Sequence, residues 1–187
     1  MYVMIMSDFW KVKSMLDFTK EEWEAVCMKC GKCCLMKEVR DDVVYFSNRA
    51  CDGLNLKTSQ CTRYKQRLSS ECKKVSMKVL QDTPELLPET CAYRTLYEKG
   101  VLPDYHPLIT GDERSVKRAK QLVSDWPNIH SAKDLQREIL SLHKRFSEEG
   151  WDEERLDKEE QKVFAKYELE FVAAFKIPEE TKKSPLK

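Results

Sequence analysis

Glycine is scarce in this chain. There are five glycines in 187 residues, and no two are separated by a single residue. A glycine-rich loop of the kind that cradles a methyl donor is therefore absent, and the composition favours helix over turn-rich architectures. Neither sign of charge is in excess, with 33 basic residues against 32 acidic ones. That balance supplies no field for nucleic acid or an anionic membrane surface, so neither partner is expected. No stretch approaches the roughly 18 apolar residues needed to span a bilayer. The opening MYVMIMSDFW has a short apolar run, then Ser7 and Asp8, which does not read as a secretory signal. These absences predict a soluble, cytoplasmic protein. No internal repeat occurs, and no cysteine follows Cys91.

What is present is cysteine, concentrated in the first half: Cys27, Cys30, Cys33, Cys34, Cys51, Cys61, Cys72 and Cys91. Four of the eight fall in CMKCGKCCL, residues 27–35. A reducing cytosol keeps thiols unpaired, so this density points to metal or redox chemistry before disulfides. Cys33 and Cys34 are neighbours and do not readily bond to each other. A thioredoxin-like use of the C-x-x-C needs a βαβ setting, which the segment after Cys34 lacks. Continued as an ideal helix, the four clustered sulfurs fall within a sector of about 120°. If the chain turns at Gly31 instead, the two-residue gaps still bring them together, as in zinc and iron–sulfur sites. Convergent thiols repel once ionised, and a soft cation removes that conflict. Eight cysteines are enough for two four-ligand sites, or for one site plus structural thiols. Cys91 sits in an apolar helical context that also suits an ordinary buried thiol.

The rest of the chain reads as mainly α with a small β element, an α+β fold. Thr19 and Glu22 form a capping-box pattern opening a helix over 19–30. DDVVYFSN, residues 41–48, is a predicted strand. Thr83 and Pro84 open a helical segment that Pro88 restarts and Gly100 ends. Residues 102–112 read as a loop. Ser131 and Asp134 open a helix with a Leu135, Ile139, Leu142, Phe146 stripe. After Gly150 a last helix is predicted to carry Phe164, Tyr167, Phe171, Val172 and Phe175 on one side. The expected boundary divides a cysteine-dense, metal-stapled module, residues 1–130, from a helical extension with a polar tail, residues 131–187. That last stripe packs on the domain or, as the sharper alternative, engages a protein partner.

Other residues carry weaker signals. His106, in a Pro-flanked loop, is a candidate further metal ligand or proton donor; the plainer reading is a loop histidine held against the fold. His130 and His143 read as surface residues. Four thiolates on divalent zinc leave a net charge of about −2. Arg67 and Arg94 are candidate donors to that charge, against the plainer reading of surface arginine. The tryptophans read as packing residues.

CMKCGKCC matches the C-x-x-C-G-x-C-C signature of the YcgN/YkgJ-type cysteine-cluster proteins, described as zinc- or iron-chelating domains. DVVYFSNRACDGLNLKTSQCTRY resembles that family's aromatic strand, its next cysteine and its C-x-x-Y-x-x-R segment, here Cys61, Tyr64 and Arg67. Cys72 follows where the family places another cysteine. LPETCAYRTLYEKGVLPDYHPLITG is similar to the YcgN branch, with Cys91, Arg94, His106, Pro107 and Gly111. The resemblance covers roughly residues 8–127 and implies a bacterial metal-binding protein. Ser59 stands where that branch often has a further cysteine, which implies one ligand fewer here. The segment after residue 130 has no counterpart. Flagellin lysine N-methylases are better understood relatives of the cluster, where a cysteine-bound iron–sulfur centre is implied. That is analogy at the level of fold.

Three functions stay open at this level. The first is a metal-binding protein holding an iron–sulfur cluster or iron, with zinc as the alternative. The second is an enzyme using that centre in redox or protein-modification chemistry. The third is a structural zinc module whose helices bind another protein.

Overall fold

The computed structural model describes residues 8–64, 72 and 74–177; Arg67 and the polar tail after residue 177 lie outside these. The organising element is a β-hairpin. β1 (Leu35–Arg40) and β2 (Val43–Ala50) pair antiparallel, Arg40 opposite Val43. Asp41 and Asp42 alone join them, both at positive φ. A two-residue turn of that kind matches the twist of the strands it connects, and aspartate tolerates it. The strand expected over 41–48 is thus β2, with its aspartates spent on the turn. β1 has no counterpart in the sequence reading. β3 (Leu54–Asn55) and β4 (Gln60–Cys61) form a separate two-stranded ribbon.

β2 has two edges, and β1 occupies one. The other is shared end to end. β5 (His130–Ser131) runs parallel beside Arg49 and Ala50, and β6 (Phe171–Lys176) runs antiparallel beside residues 43–47. The sheet therefore crosses the boundary expected at residue 130. Val44 and Phe46 point into a core with Leu35, Ala50, Leu54 and Val123. Phe175 meets Phe46 edge-on at 5.4 Å.

The helices are short in the first half: α1 (Phe9–Val12), α2 (Lys20–Ala25), α3 (Met77–Asp82), α4 (Ala92–Lys99), α5 (Pro107–Thr110) and α6 (Ser115–Arg118). Thr19 and Glu22 form the expected capping box on α2. The helix then stops at Ala25, five residues before the expected end at residue 30. Lys29 and Gly31 stand at positive φ and break the helical path. Pro84 opens a single 3₁₀ turn, and α4 ends at Gly100 in the left-handed conformation. The helices enclose a second core through Val26, Leu80, Leu87, Tyr93 and Leu96.

α7 (Ala132–Glu149) and α8 (Glu153–Lys166) form a helical hairpin closed by Gly150. The Ser131–Asp134 capping box starts α7 as expected. Leu135, Ile139, Leu142 and Phe146 pack on Val163 and Trp151, so this stripe is satisfied within the chain. The expected last helix is corrected. Helical geometry ends at Tyr167, and Phe171, Val172 and Phe175 belong to β6. Hydrophobic spacing is compatible with either structure there, and the unfilled edge of β2 decides it. His130 is likewise not a surface residue: it is 8% exposed and lies edge-on to Tyr167 at 4.9 Å. Among the described residues no helix is long and apolar enough to cross a membrane.

Asn48 fastens the extension to the sheet. It is 1% exposed, donates to the Glu168 carbonyl at 3.0 Å and accepts from the Glu170 amide at 3.1 Å. Asn48→Ala leaves both backbone groups without that partner. The expected cost is about 1–3 kcal/mol, measurable by urea unfolding.

Candidate metal centre

The cysteine ribbon leaves α2 at Val26 and turns twice. Gly31, at φ 79°, then opens a 3₁₀ turn over Lys32–Cys34. No other residue fits there. A Cβ on Gly31 would lie 2.9 Å from Val123 Cγ1 and 3.0 Å from the Ser59 carbonyl oxygen. Backbone bonds fix the ribbon on both sides of this point. The Cys30 carbonyl accepts from Val123 N–H at 2.7 Å, and the Cys34 carbonyl accepts from Cys51 N–H at 2.9 Å. Cys27, Cys30 and Cys91 pack against the helical core, whereas Cys34 packs against the sheet core. Cys51 and Cys61 are half-buried; Cys33 and Cys72 are exposed.

Burial raises the Cys27 thiol to about 12 and the Cys30 thiol to about 11, and the charge of Cys33 adds to both. Burial also raises Cys91, helped by the charges of Cys30, Cys33 and Cys27. Cys34 is raised first by its hydrogen bond with Cys33, then by burial, then by the charges of Cys33, Cys61 and Cys51. Against these effects stand backbone amides aimed at sulfur. The amides of Lys29, Lys32 and Arg94 pull the thiols of Cys27, Cys30 and Cys91 down. Gly53 N–H donates to Cys51 Sγ at 3.4 Å. A neutral thiol gains little from such donors, whereas a thiolate gains much more. The thiols are crowded, but among the described residues no group of three or more His, Cys, Asp or Glu side chains is closed around a point that could hold a metal ion.

Two lysines within or beside the motif face this sulfur, and the sequence reading passed over both. Lys32 is 2% exposed; its Nζ donates to Gln121 Oε1 at 2.9 Å and sits 5.0 Å from the Trp126 ring centre. Burial pulls its pKa down, while the charges of Cys30 and Asp125 resist. Lys37 Nζ donates to the carbonyls of Cys33 and Leu35 at 2.8 and 2.9 Å. Burial lowers its pKa too, against the charges of Cys33, Cys34 and Cys72. Lysine between cysteines ordinarily reads as a solvated charge, so only their position in the motif could have marked them. Ser59 is buried beside Gly31, and its Oγ has no hydrogen-bond partner.

The other expected site residues take different places. His106 is 0% exposed, and both ring nitrogens are engaged. Nδ1 accepts from Leu108 N–H at 3.0 Å, so Nε2 carries the proton and donates to the Val26 carbonyl at 3.0 Å. Burial lowers its pKa and keeps the ring neutral. The histidine therefore ties its loop to the end of α2, immediately before Cys27, and offers no lone pair to a metal. Arg94 is corrected as a charge donor to sulfur. Its guanidinium bonds the Leu87 carbonyl and Glu98, and only its backbone amide meets Cys91. Arg67 lies outside the described residues.

The chain resembles curated bacterial proteins. It is 43% identical over 124 residues to a UPF0260 protein of Haemophilus influenzae strain PittEE, covering 63% of this chain and 82% of that one. It is 46% identical over 122 residues to a UPF0260 protein of Pasteurella multocida, covering 62% and 82%. A UPF0260 protein of Vibrio parahaemolyticus is 44% identical over 119 residues, covering 62% and 81%. No family model matches the chain, and no solved structure matches it.

The thiol environments set an order of reactivity. In reduced, metal-free protein at mildly alkaline pH, exposed Cys33 is expected to react with iodoacetamide well before Cys27, Cys30 and Cys91. Only the thiolate reacts, and a raised pKa keeps the buried thiols protonated, so their labelling accelerates as pH climbs toward 11. Peptide mapping by mass spectrometry gives the order.

Proposed function

The chain belongs to the UPF0260 family, and from that premise we propose that its cysteines bind a soft metal as thiolates, as an iron–sulfur cluster or iron, with zinc as the alternative. The observation that carries this reading is the contradiction at Cys27, Cys30 and Cys91. Each is half-buried against the helical core and opposed by its neighbours' charge, yet beside each a backbone amide favours the thiolate. Thiols meant only for packing need no such donors. The motif's likeness to the YcgN-type cysteine-cluster family supports the same reading.

A bound soft cation supplies the positive charge that makes thiolate the stable form of these sulfurs. The chain's own residues prepare for that charge state. Lys29, Lys32, Gly53 and Arg94 direct amides at sulfur. The Lys32 and Lys37 ammonium groups stand near sulfur and offset surplus negative charge. His106 holds the ribbon's entry, and Gly31 sets its turn. Orientation of ligands by such surrounding donors is general in metal sites.

The test is purification without oxygen, with a visible spectrum and assays for iron, zinc and sulfide. We expect stoichiometric metal, lost in both Cys30→Ser and Cys34→Ser. Brown protein with sulfide selects the iron–sulfur arm, and colourless protein with zinc selects the zinc arm. A folded, metal-free protein that takes up neither metal overturns the reading.

A further inference from the structure

We infer that β6 is an interaction surface whose partner is a second copy of this chain: the open edges of two β6 strands pair antiparallel about Phe175 and join the two sheets into one. This is independent of the metal-binding reading.

β1 and β6 are the longer edge strands among the described residues, and they are built differently. β1 carries Lys37, Glu38 and Arg40, and its pairing with β2 is irregular between Leu35 and Lys37. Charges and bulges are the usual devices that keep an edge from pairing. β6 reads FVAAFK, with its only charge at Lys176. Its one irregularity, where Ser47 faces Phe171 and Phe46 faces Ala173, lies before the stretch 173–177. That stretch is regular, mostly apolar and unguarded, the kind of edge that recruits another strand.

The direction of its backbone groups follows from Ile177, whose N–H donates to the Asp42 carbonyl at 2.7 Å. Val43 lies opposite Lys176, so Asp42 and Ile177 are directly opposed. In an antiparallel pair the bonded residues alternate. Phe175 and Ala173 therefore bond to β2, while Ala174 and Lys176 turn their N–H and C=O groups away from it. A two-fold axis at Phe175 brings those outward groups together: Ala174 meets the partner's Lys176, and Lys176 meets the partner's Ala174. Each such pair exchanges both backbone bonds. Phe175 meets the partner's Phe175 at the closer, non-bonded spacing, where aromatic pairs add stability. Ala174 is exposed and small, which leaves room for the partner's Lys176 to cross it toward Tyr45, opposite Ala174 on β2. The strand is thus complementary to itself, which selects a second copy over an unrelated strand.

Few residues pair, so the dimer forms in a concentration-dependent equilibrium. The test is sedimentation equilibrium of the full chain as isolated, with reductant present so that exposed Cys33 and Cys72 cannot link chains. The mass should rise with concentration from 22.0 kDa toward twice that value. Ala174→Pro removes one outward N–H and leaves the bonds of Ala173 and Phe175 to β2, a placement that proline tolerates on an edge strand. It should stay at 22.0 kDa with an unchanged far-ultraviolet circular dichroism spectrum. Ala174→Glu and Ala174→Lys stand opposite the partner's Lys176. They should shift the dissociation constant several-fold in opposite directions, tighter for glutamate and weaker for lysine. These two variants decide the matter if Ala174→Pro does not fold. A single 22.0 kDa species at every concentration overturns the inference. So does a dimer whose dissociation constant is the same in the glutamate and lysine variants, because another face then joins the chains.

Discussion

The left-handed turn at Gly31 is the constraint on which the cysteine region depends. Val123 and the Ser59 carbonyl press on the position a side chain would need, so the chain must pass there as bare backbone. Cys27 and Cys30, before that point, pack on the helical core, and Cys34, after it, packs on the sheet core. Val123 completes the joint: its side chain belongs to the sheet core, while its amide holds the Cys30 carbonyl. Two cores built from different stretches of sequence thus share one short ribbon.

Charge in that ribbon is set by opposing influences. Burial keeps thiols protonated, amides favour the thiolate, and buried lysines favour it again. Some of these influences are local, and others come from cysteines far along the chain: Cys27, Cys30 and Cys33 act on Cys91, and Cys51 and Cys61 act on Cys34. Arg94 illustrates the economy of the arrangement: its amide serves Cys91 while its guanidinium is committed to Leu87 and Glu98. His106 contributes by geometry, as a neutral ring bridging two backbone segments.

Much of the fold was legible wherever a local signal had no competitor. The capping boxes at Thr19 and Ser131 and the glycine stops at Gly100 and Gly150 depend on residues a few positions apart. They appear as read. The strand over Val43–Ala50 was legible from β-branched and aromatic content, but β1 was not, because LMKEVR carries two lysine or arginine charges and one glutamate. The length of α2 was misjudged because apolar cysteines at helical spacing imitate a helix face. β6 was misread because Phe171 and Phe175 fit a helical period as well as a strand, and the deciding partner lies more than a hundred residues earlier. At the candidate site, the cysteine cluster was plain from spacing. The grouping of the distant cysteines, the lysines and the commitment of His106 depend on tertiary placement that no local pattern records.

β6 is the last described strand, and it closes an edge opened by β2 near the start of the chain. During synthesis that edge has no neighbour until the C-terminal segment has left the ribosome. An unpaired strand flanked by Val44 and Phe46 is prone to pair with a foreign chain. The α7–α8 hairpin, held by contacts close in sequence, lies between the two strands in the chain. It brings β6 back toward β2 as a short, preassembled arm and so shortens the search the nascent sheet must make.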